Sequence, residues 1–250
     1  MVFIFIPPLL SVFVAFSEDG AFIATGSHDT SLKVLDASVI MARDSSSDEK
    51  KVIKTLYDHT GPVNEVAFHP NGAVLASCAG KLSLPNIDSI DDGNIKFFDL
   101  QKQNTKRGFR YLADSYPVKS ISFHPSGEFI ISGTDHHAVR MFDIQTMKVY
   151  IPPSAADQHQ GPITKVRYAP SGATFASCSV DGSIKIYDTV SGKCINTIAK
   201  AHDGASIIGI TFSKSSVYLL STGLDSKGKL WDMTTGKVIC TYEGALQKVT

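Results

Sequence analysis

Two residue sets in this chain hold the ingredients of acid–base and nucleophilic chemistry: His159, Ser177 and Asp181, and His202, Ser221 and Asp225. A histidine that can meet both a carboxylate and a serine hydroxyl is what a hydrolase uses to activate an alcohol. His59 with Asp92, and Asp29 alone, are incomplete versions of the same set. Three features oppose catalysis. The sets recur at a regular interval, no G-x-S-x-G elbow is present, and no oxyanion donors can be placed beside either serine. A buried Asp–His pair between strands has a simpler use, because it satisfies polar groups that would be costly unpaired. The histidines His28, His69, His124, His136 and His137 fall in turns with no H-x-x-x-H pairing, so they read as turn and surface residues and not as metal ligands. No Gly-rich phosphate loop opens a helix, and no cofactor, metal or enzymatic activity is expected.

The elements that must position these residues form a repeat. Five runs end in an aromatic or aliphatic residue followed by aspartate, at Asp36, Asp99, Asp143, Asp188 and Asp232, with steps of 63, 44, 45 and 44 residues. A period in the low forties points to units of four strands. In each unit a β-branched run such as PITKVRY precedes a turn (SEDG, HPNG, HPSG, APSG) in which glycine accepts a positive φ. A second strand follows (FIATG, VLASC, FIISG, TFASC), then a turn with Asp or His, a third strand ending in the Asp, and a fourth leading to the next unit. Short turns enforce antiparallel neighbours, and the apolar runs suit strands buried on both faces.

Composition narrows the function. Lys plus Arg equals Asp plus Glu at 24 each, so no global basic field announces nucleic acid or an anionic membrane, although a local patch is left open. Cys78, Cys178, Cys194 and Cys240 show no C-x-x-C pair, which argues for reduced thiols and an intracellular compartment. The apolar start MVFIFIPPLL lacks a basic leader region, is broken by Pro7-Pro8 and is too short for a membrane span.

GKLWD, VDGSIKIYD and the His-containing unit starts resemble WD repeats, whose fold is the all-β propeller. The resemblance implies five four-stranded blades at about 11–57, 63–112, 118–151, 163–198 and 207–242, after a non-matching segment 1–10. It also implies a structural hydrogen-bond network of His, turn Asp, second-strand Ser or Thr and terminal Trp. The fifth unit matches at all four places (His202, Ser221, Asp225, Trp231), and the fourth at three, with Tyr187 in place of Trp. His59 and Asp92 in the second unit and Asp29 in the first keep their positions. In the third unit Asp114 stands where the His belongs and His136 where the Asp belongs, and in the first unit Pro7 falls at the His position.

TLYDHTGPVNEVAFHP, FRYLADSYPVKSISFHPSGEFIISGTDHHAVRMFDIQT and KAHDGASIIGITFSKSSVYLLSTGLDS are similar to the WD-repeat subunits of cleavage stimulation factor. That likeness implies a nuclear, non-catalytic scaffold in pre-mRNA 3′-end cleavage and polyadenylation. Its implied partners are the factor's HAT-repeat subunit, RNA polymerase II and a BRCA-associated RING protein, with RNA met only indirectly and no membrane. The family's propeller has seven blades and a helical self-association segment before it. The chain is therefore expected to be an incomplete propeller, and homodimerisation is not expected. The alternative is a WD adaptor in another assembly, such as ubiquitin ligation or trafficking.

The long first step has two causes. One is the polar connection ASVIMARDSSSDEK, read either as a solvated linker or as a phosphorylatable loop. The other is Gly80 to Ile90, read either as a binding insertion or as an unspliced intron, because deleting it restores the repeat phase. The second-to-third-strand turns would present His28, Asp91, Asp135 and His137 to a partner protein or peptide.

Overall fold

A computed structural model describes residues 11–41, 52–82, 90–102 and 106–243. The connection from 42 to 51 and the centre of the insertion, 83–89, lie outside the described residues. The chain divides into two compact units, Met1–Val118 and Lys119–Thr250.

In the first unit, β1 (Ser11–Phe16), β2 (Phe22–Ser27), β3 (Ser31–Asp36) and β4 (Val52–Tyr57) form one antiparallel sheet in chain order. The start of the polar connection is helical: α1 (Ala37–Met41) begins where Asp36 Oδ1 accepts a 2.8 Å bond from the Ser38 amide. The second sheet runs β5 (Val63–Phe68), β6 (Val74–Ala79), then β9 (Asn94–Asp99) and β10 (Arg110–Ala113). Between β6 and β9, the base of the insertion forms its own ribbon, β7 (Lys81–Leu82) against β8 (Ile90–Asp91). The ribbon leaves the main ladder in phase, with Cys78 opposite Ile95 and Val74 opposite Asp99. Ala24, Leu32, Val34 and Leu56 of the first sheet pack on Val63, Val66, Leu75 and Phe98 of the second.

The second unit holds three more sheets of the same order. They are β11 (Val118–Phe123, whose first residue belongs to the first unit), β12 (Phe129–Thr134), β13 (Arg140–Asp143), β14 (Val149–Tyr150); β15 (Ile163–Tyr168), β16 (Thr174–Ser179), β17 (Ile184–Asp188), β18 (Cys194–Ile198); and β19 (Ile207–Phe212), β20 (Tyr218–Gly223), β21 (Gly228–Asp232), β22 (Val238–Tyr242). The fourth strand of the third unit shrinks from the expected MKVYI to two residues, because Pro152-Pro153 follow and proline cannot donate to a ladder. In the turns, Gly172 (φ +73°) closes on Ala169 O at 2.8 Å, and the fifth unit uses Ser216 (φ +61°) at that place.

The second strands are sandwiched, with five of six residues buried in β2, β6, β12 and β16. Gly133 shows how close the sheets come: a Cβ there would lie 2.6 Å from Ile163 Cγ2 of the next sheet. Ile131 and Val139 meet Ile163, Val166, Tyr168, Phe175 and Tyr187, while Cys178, Ile184 and Ile186 meet Ile207, Ile210, Leu219 and Trp231. The protein is all-β, five four-stranded antiparallel sheets, as the repeat pattern predicts.

Candidate functional site

In the fifth sheet the residues His202, Ser221, Asp225 and Trp231 meet. His202 Nδ1 lies 2.9 Å from both Asp225 carboxylate oxygens, so this nitrogen donates. Nε2 then accepts from Ser221 Oγ at 2.7 Å, and Ser221 Oγ accepts the Trp231 indole N–H at 2.8 Å. The short turns before β19 and between β20 and β21 bring His202 and Asp225 over one end of the sheet, and β20 and β21 supply the other two.

The fourth sheet builds a variant. Ser177 Oγ donates to His159 Nε2 at 2.6 Å, but His159 Nδ1 donates to Ser183 Oγ at 2.8 Å, with Asp181 Oδ2 further off at 3.4 Å. Ser183 donates on to Asp181 Oδ1 at 2.6 Å, so a hydroxyl relays the histidine to the carboxylate. Tyr187 stands at the tryptophan's place, and its hydroxyl donates to Asp157 O at 2.7 Å.

In the second sheet His59 Nδ1 donates to Asp92 Oδ2 at 2.8 Å and Ser77 Oγ donates to Nε2 at 2.6 Å. Asp92, 1% exposed, also accepts from the Thr60 amide at 2.7 Å and Asn94 Nδ2 at 2.8 Å, with Lys96 Nζ at 3.5 Å. The inserted ribbon ends beside Asp92 without displacing it. In the first sheet Asp29 Oδ1 accepts from the Ser31 amide and hydroxyl at 2.9 and 2.6 Å; Pro7 lies outside the described residues. Sequence reading missed the residue two places after each turn aspartate, Ser31, Asn94 and Ser183. The spacing Asp-x-Ser or Asp-x-Asn was the available signal.

The third sheet departs most. His136 imitates the aspartate, since its Nδ1 accepts from the Ala138 amide at 3.3 Å, the bond that Asp181 takes from Ser183 at 2.8 Å. Asp114 accepts from the Tyr116 amide at 3.0 Å. Ser132, the counterpart of Ser77, Ser177 and Ser221, is fully buried, and its Oγ has no partner among the described residues. Ser132→Ala is therefore expected to be neutral or to stabilise by up to about 1 kcal/mol, whereas Ser177→Ala costs about 1–3 kcal/mol by stranding a ring nitrogen. Urea titration of both variants checks this, and equal losses would contradict it.

Burial alone would raise the Asp92 and Asp181 carboxyls. The histidine bonds and backbone amides outweigh it and hold both well below the usual carboxylate range. Burial dominates at His159 and lowers it, against the opposing pull of Asp181. The unfolded imidazole titrates near ~6.5 and takes up a proton that the folded one resists, so stability is full above that pH and declines below it. Between pH 7.5 and 5 the unfolding free energy from urea titration should fall, by at most about 1.4 kcal/mol per pH unit from this one group, and His159→Gln should flatten that slope. An unchanged slope in the variant would assign the effect elsewhere.

The chemistry open to these sets is limited by access. Ser77, Ser177 and Ser221 are all 0% exposed, so none can meet a substrate from solvent. Burial also pushes the Cys178 thiol up to about 12, out of nucleophilic range. The geometry describes polar braces between strands.

Two family models match. The model described as "WD domain, G-beta repeat" matches residues 11–36 and 50–99, and "Vps8 beta-propeller" matches residues 92–247. The chain belongs to the WD-repeat β-propeller family. This WD-repeat protein is 38% identical over 210 residues to "Cleavage stimulation factor subunit 50" of Arabidopsis thaliana, a match covering 83% of this chain and 46% of that protein. It is 28% identical over 251 residues to "Nuclear distribution protein PAC1" of Arthroderma benhamiae, covering 92% of this chain and 50% of that protein, and 33% identical over 128 residues to "WD repeat-containing protein 1" of Bos taurus, covering 50% and 20%. The chain thus spans half or less of the length of these curated relatives.

For a WD-repeat protein the exposed turns are where partners are met. His28 is exposed on the β2–β3 turn. Asp91 lies in the ribbon, opposite Lys81, and not in a turn. Asp135 and His137 share the β12–β13 turn. Asp135 is ion-paired with Lys119 at 2.6 Å, while His137 is exposed, packs 5.4 Å from the His136 ring and accepts the His159 amide on its carbonyl.

Proposed function

We propose that this WD-repeat protein is a non-catalytic interaction scaffold in nuclear pre-mRNA 3′-end cleavage and polyadenylation, working as a subunit of a cleavage stimulation factor complex. The observation that carries the reading is the 38% identity over 83% of the chain to a cleavage stimulation factor subunit. Antiparallel sheets held by buried polar braces suit a platform, and the turns with His28, Asp135 and His137, together with Asp91 of the ribbon, are the proposed docking positions. The proposed partners are a HAT-repeat subunit of the same factor and RNA polymerase II. The test is affinity capture of the tagged chain from nuclear extract with mass spectrometry. Recovery of 3′-end processing factors, reduced by combined His28→Ala, Asp135→Ala and His137→Ala substitution, is expected; their consistent absence would overturn the assignment. The matches to "Nuclear distribution protein PAC1" and "WD repeat-containing protein 1" favour, as a second reading, a WD adaptor in another assembly, which the same partner set would reveal.

A further inference from the structure

The outer edge of the second sheet carries a patch of cations and exposed rings. Between Leu100 and Ala113 the sequence holds Lys102, Lys106, Arg107 and Arg110 and no acidic residue, in a chain whose total charge is zero. Aromatic residues interleave with these cations and are exposed: Phe109 is 53% and Tyr111 67% accessible. Phe109 lies in the bend that leads into β10, and Tyr111 lies within the strand. Tyr57, 56% accessible at the end of β4, adjoins Lys106, because its amide donates to Lys106 O at 3.1 Å. Asp58 Oδ2 fixes the turn by accepting from the Gly108 amide at 3.1 Å, and the Phe109 amide donates to Phe97 O at 2.8 Å. All these residues belong to the first unit.

Comparison with the sister sheets shows that Tyr111 is a departure. Opposite the third-strand lysine three of the other four sheets carry threonine, Thr55 against Lys33, Thr197 against Lys185 and Thr241 against Lys229. In the second sheet Tyr111 faces Lys96. A threonine there serves the sheet, as Lys185 Nζ to Thr197 Oγ1 at 3.3 Å illustrates, whereas a tyrosine two-thirds in solvent adds little to packing. Two nearby acids are engaged: Asp58 as above, with Lys96 Nζ at 4.0 Å, and Asp99 with Lys102 at 3.7 Å. Lys106 and Arg107 are both exposed beside the rings.

We propose that Tyr57, Lys106, Arg107, Phe109 and Tyr111 form a binding site for single-stranded RNA, with the cations on phosphates and the rings stacking on unpaired bases. Alternating cations and exposed rings on an open strand edge are the pairing that single strands require, since every base offers a π-face and every nucleotide a charge. An acidic peptide would use the cations but has no need of three exposed rings. This proposal departs from the expectation that RNA is met only indirectly. The choice of RNA over DNA rests on the 3′-end processing reading; the surface chemistry does not.

The test is fluorescence anisotropy of the purified chain with a labelled 12-nucleotide single-stranded RNA, the same RNA as a duplex, single-stranded DNA of that sequence, and a phosphoserine peptide. Single-stranded RNA should bind more tightly than the duplex, with a log–log salt slope of about −1.4, ~0.7 for each of two phosphates. Lys106→Glu with Arg107→Glu should weaken binding at least about tenfold and shrink the slope. Phe109→Ala with Tyr111→Ala should weaken it at least about tenfold and leave the slope alone. All these positions are exposed, so unchanged melting curves are expected for both variants, and the single-strand preference of the unaltered chain stands without any variant. Equal binding of duplex and single strand, insensitivity to the aromatic pair, or preference for the phosphopeptide would overturn the proposal. Tighter binding to DNA than to RNA would overturn the choice of RNA. Capture from extract scores protein partners, so the scaffold reading can fail while this site binds, and the reverse.

Discussion

Asp92→Ala is expected to destabilise the protein by about 3 kcal/mol. The carboxylate is 1% exposed and receives bonds from His59, Thr60 and Asn94, so its loss strands the buried His59 donor together with two partly exposed ones and removes the nearer counter-charge of Lys96. For a chain of this size the melting temperature should fall by about 6–12 °C. Asp92→Asn keeps one acceptor oxygen and should lose about half as much. The pH dependence separates the ionic contribution from the packing. With a folded pKa held below the unfolded value of ~3.9, the carboxylate's contribution is complete above that pH and is lost as the pH falls through the folded value. Thermal melts recorded from pH 7 to pH 2.5 should show a shallower acid limb in Asp92→Ala than in the unaltered protein. If both variants melt with the parent, the second sheet is held by its apolar cluster alone.

Tyr187→Ala should be as damaging, about 3–5 kcal/mol, by opening a cavity in the fourth sheet. The ring is fully buried and lies parallel to Phe175, with centroids 4.9 Å apart and planes 9° from each other. Phe175 meets Tyr168 edge-on at 5.5 Å, and Tyr168 meets His124 edge-on at 5.0 Å, so the rings link the third and fourth sheets. Tyr187→Phe isolates the hydroxyl's bond to Asp157 O and should cost only about 1 kcal/mol. Denaturation followed by circular dichroism measures both. A near-equal cost for the two variants would mean that the hydroxyl, and not the stack, matters at this position.

A good part of this fold is legible in the chain because strand, turn and spacing signals are local and repeat five times. A glycine needed at positive φ, a β-branched run and an Asp at the end of the third strand are each set by backbone sterics and burial within a few residues, and repetition lets one unit correct another. That is why the 63-residue step could be recognised as a normal unit with two additions. The polar sets were readable for the same reason: His202, Ser221, Asp225 and Trp231 occupy repeat positions, and the resemblance to WD repeats implies how they pair.

What each set does in detail was decided by tertiary structure. Ser183 stands between His159 and Asp181, His136 takes an aspartate's place as acceptor, and Ser132 keeps a buried hydroxyl whose imidazole partner is missing. Residue types at a given spacing list the donors and acceptors, but differences of a few tenths of an ångström in the turns choose among them. The outer patch is the other such case. The sequence placed cations beside aromatic residues near Arg110, but only strand pairing shows Tyr111 standing where three sister sheets carry threonine, with Tyr57 tied to Lys106, 49 residues later, by a backbone hydrogen bond. Local propensity and periodicity act along the chain and determined the units. Exposure and hydrogen-bond choice depend on distant neighbours, so only the folded arrangement could set them.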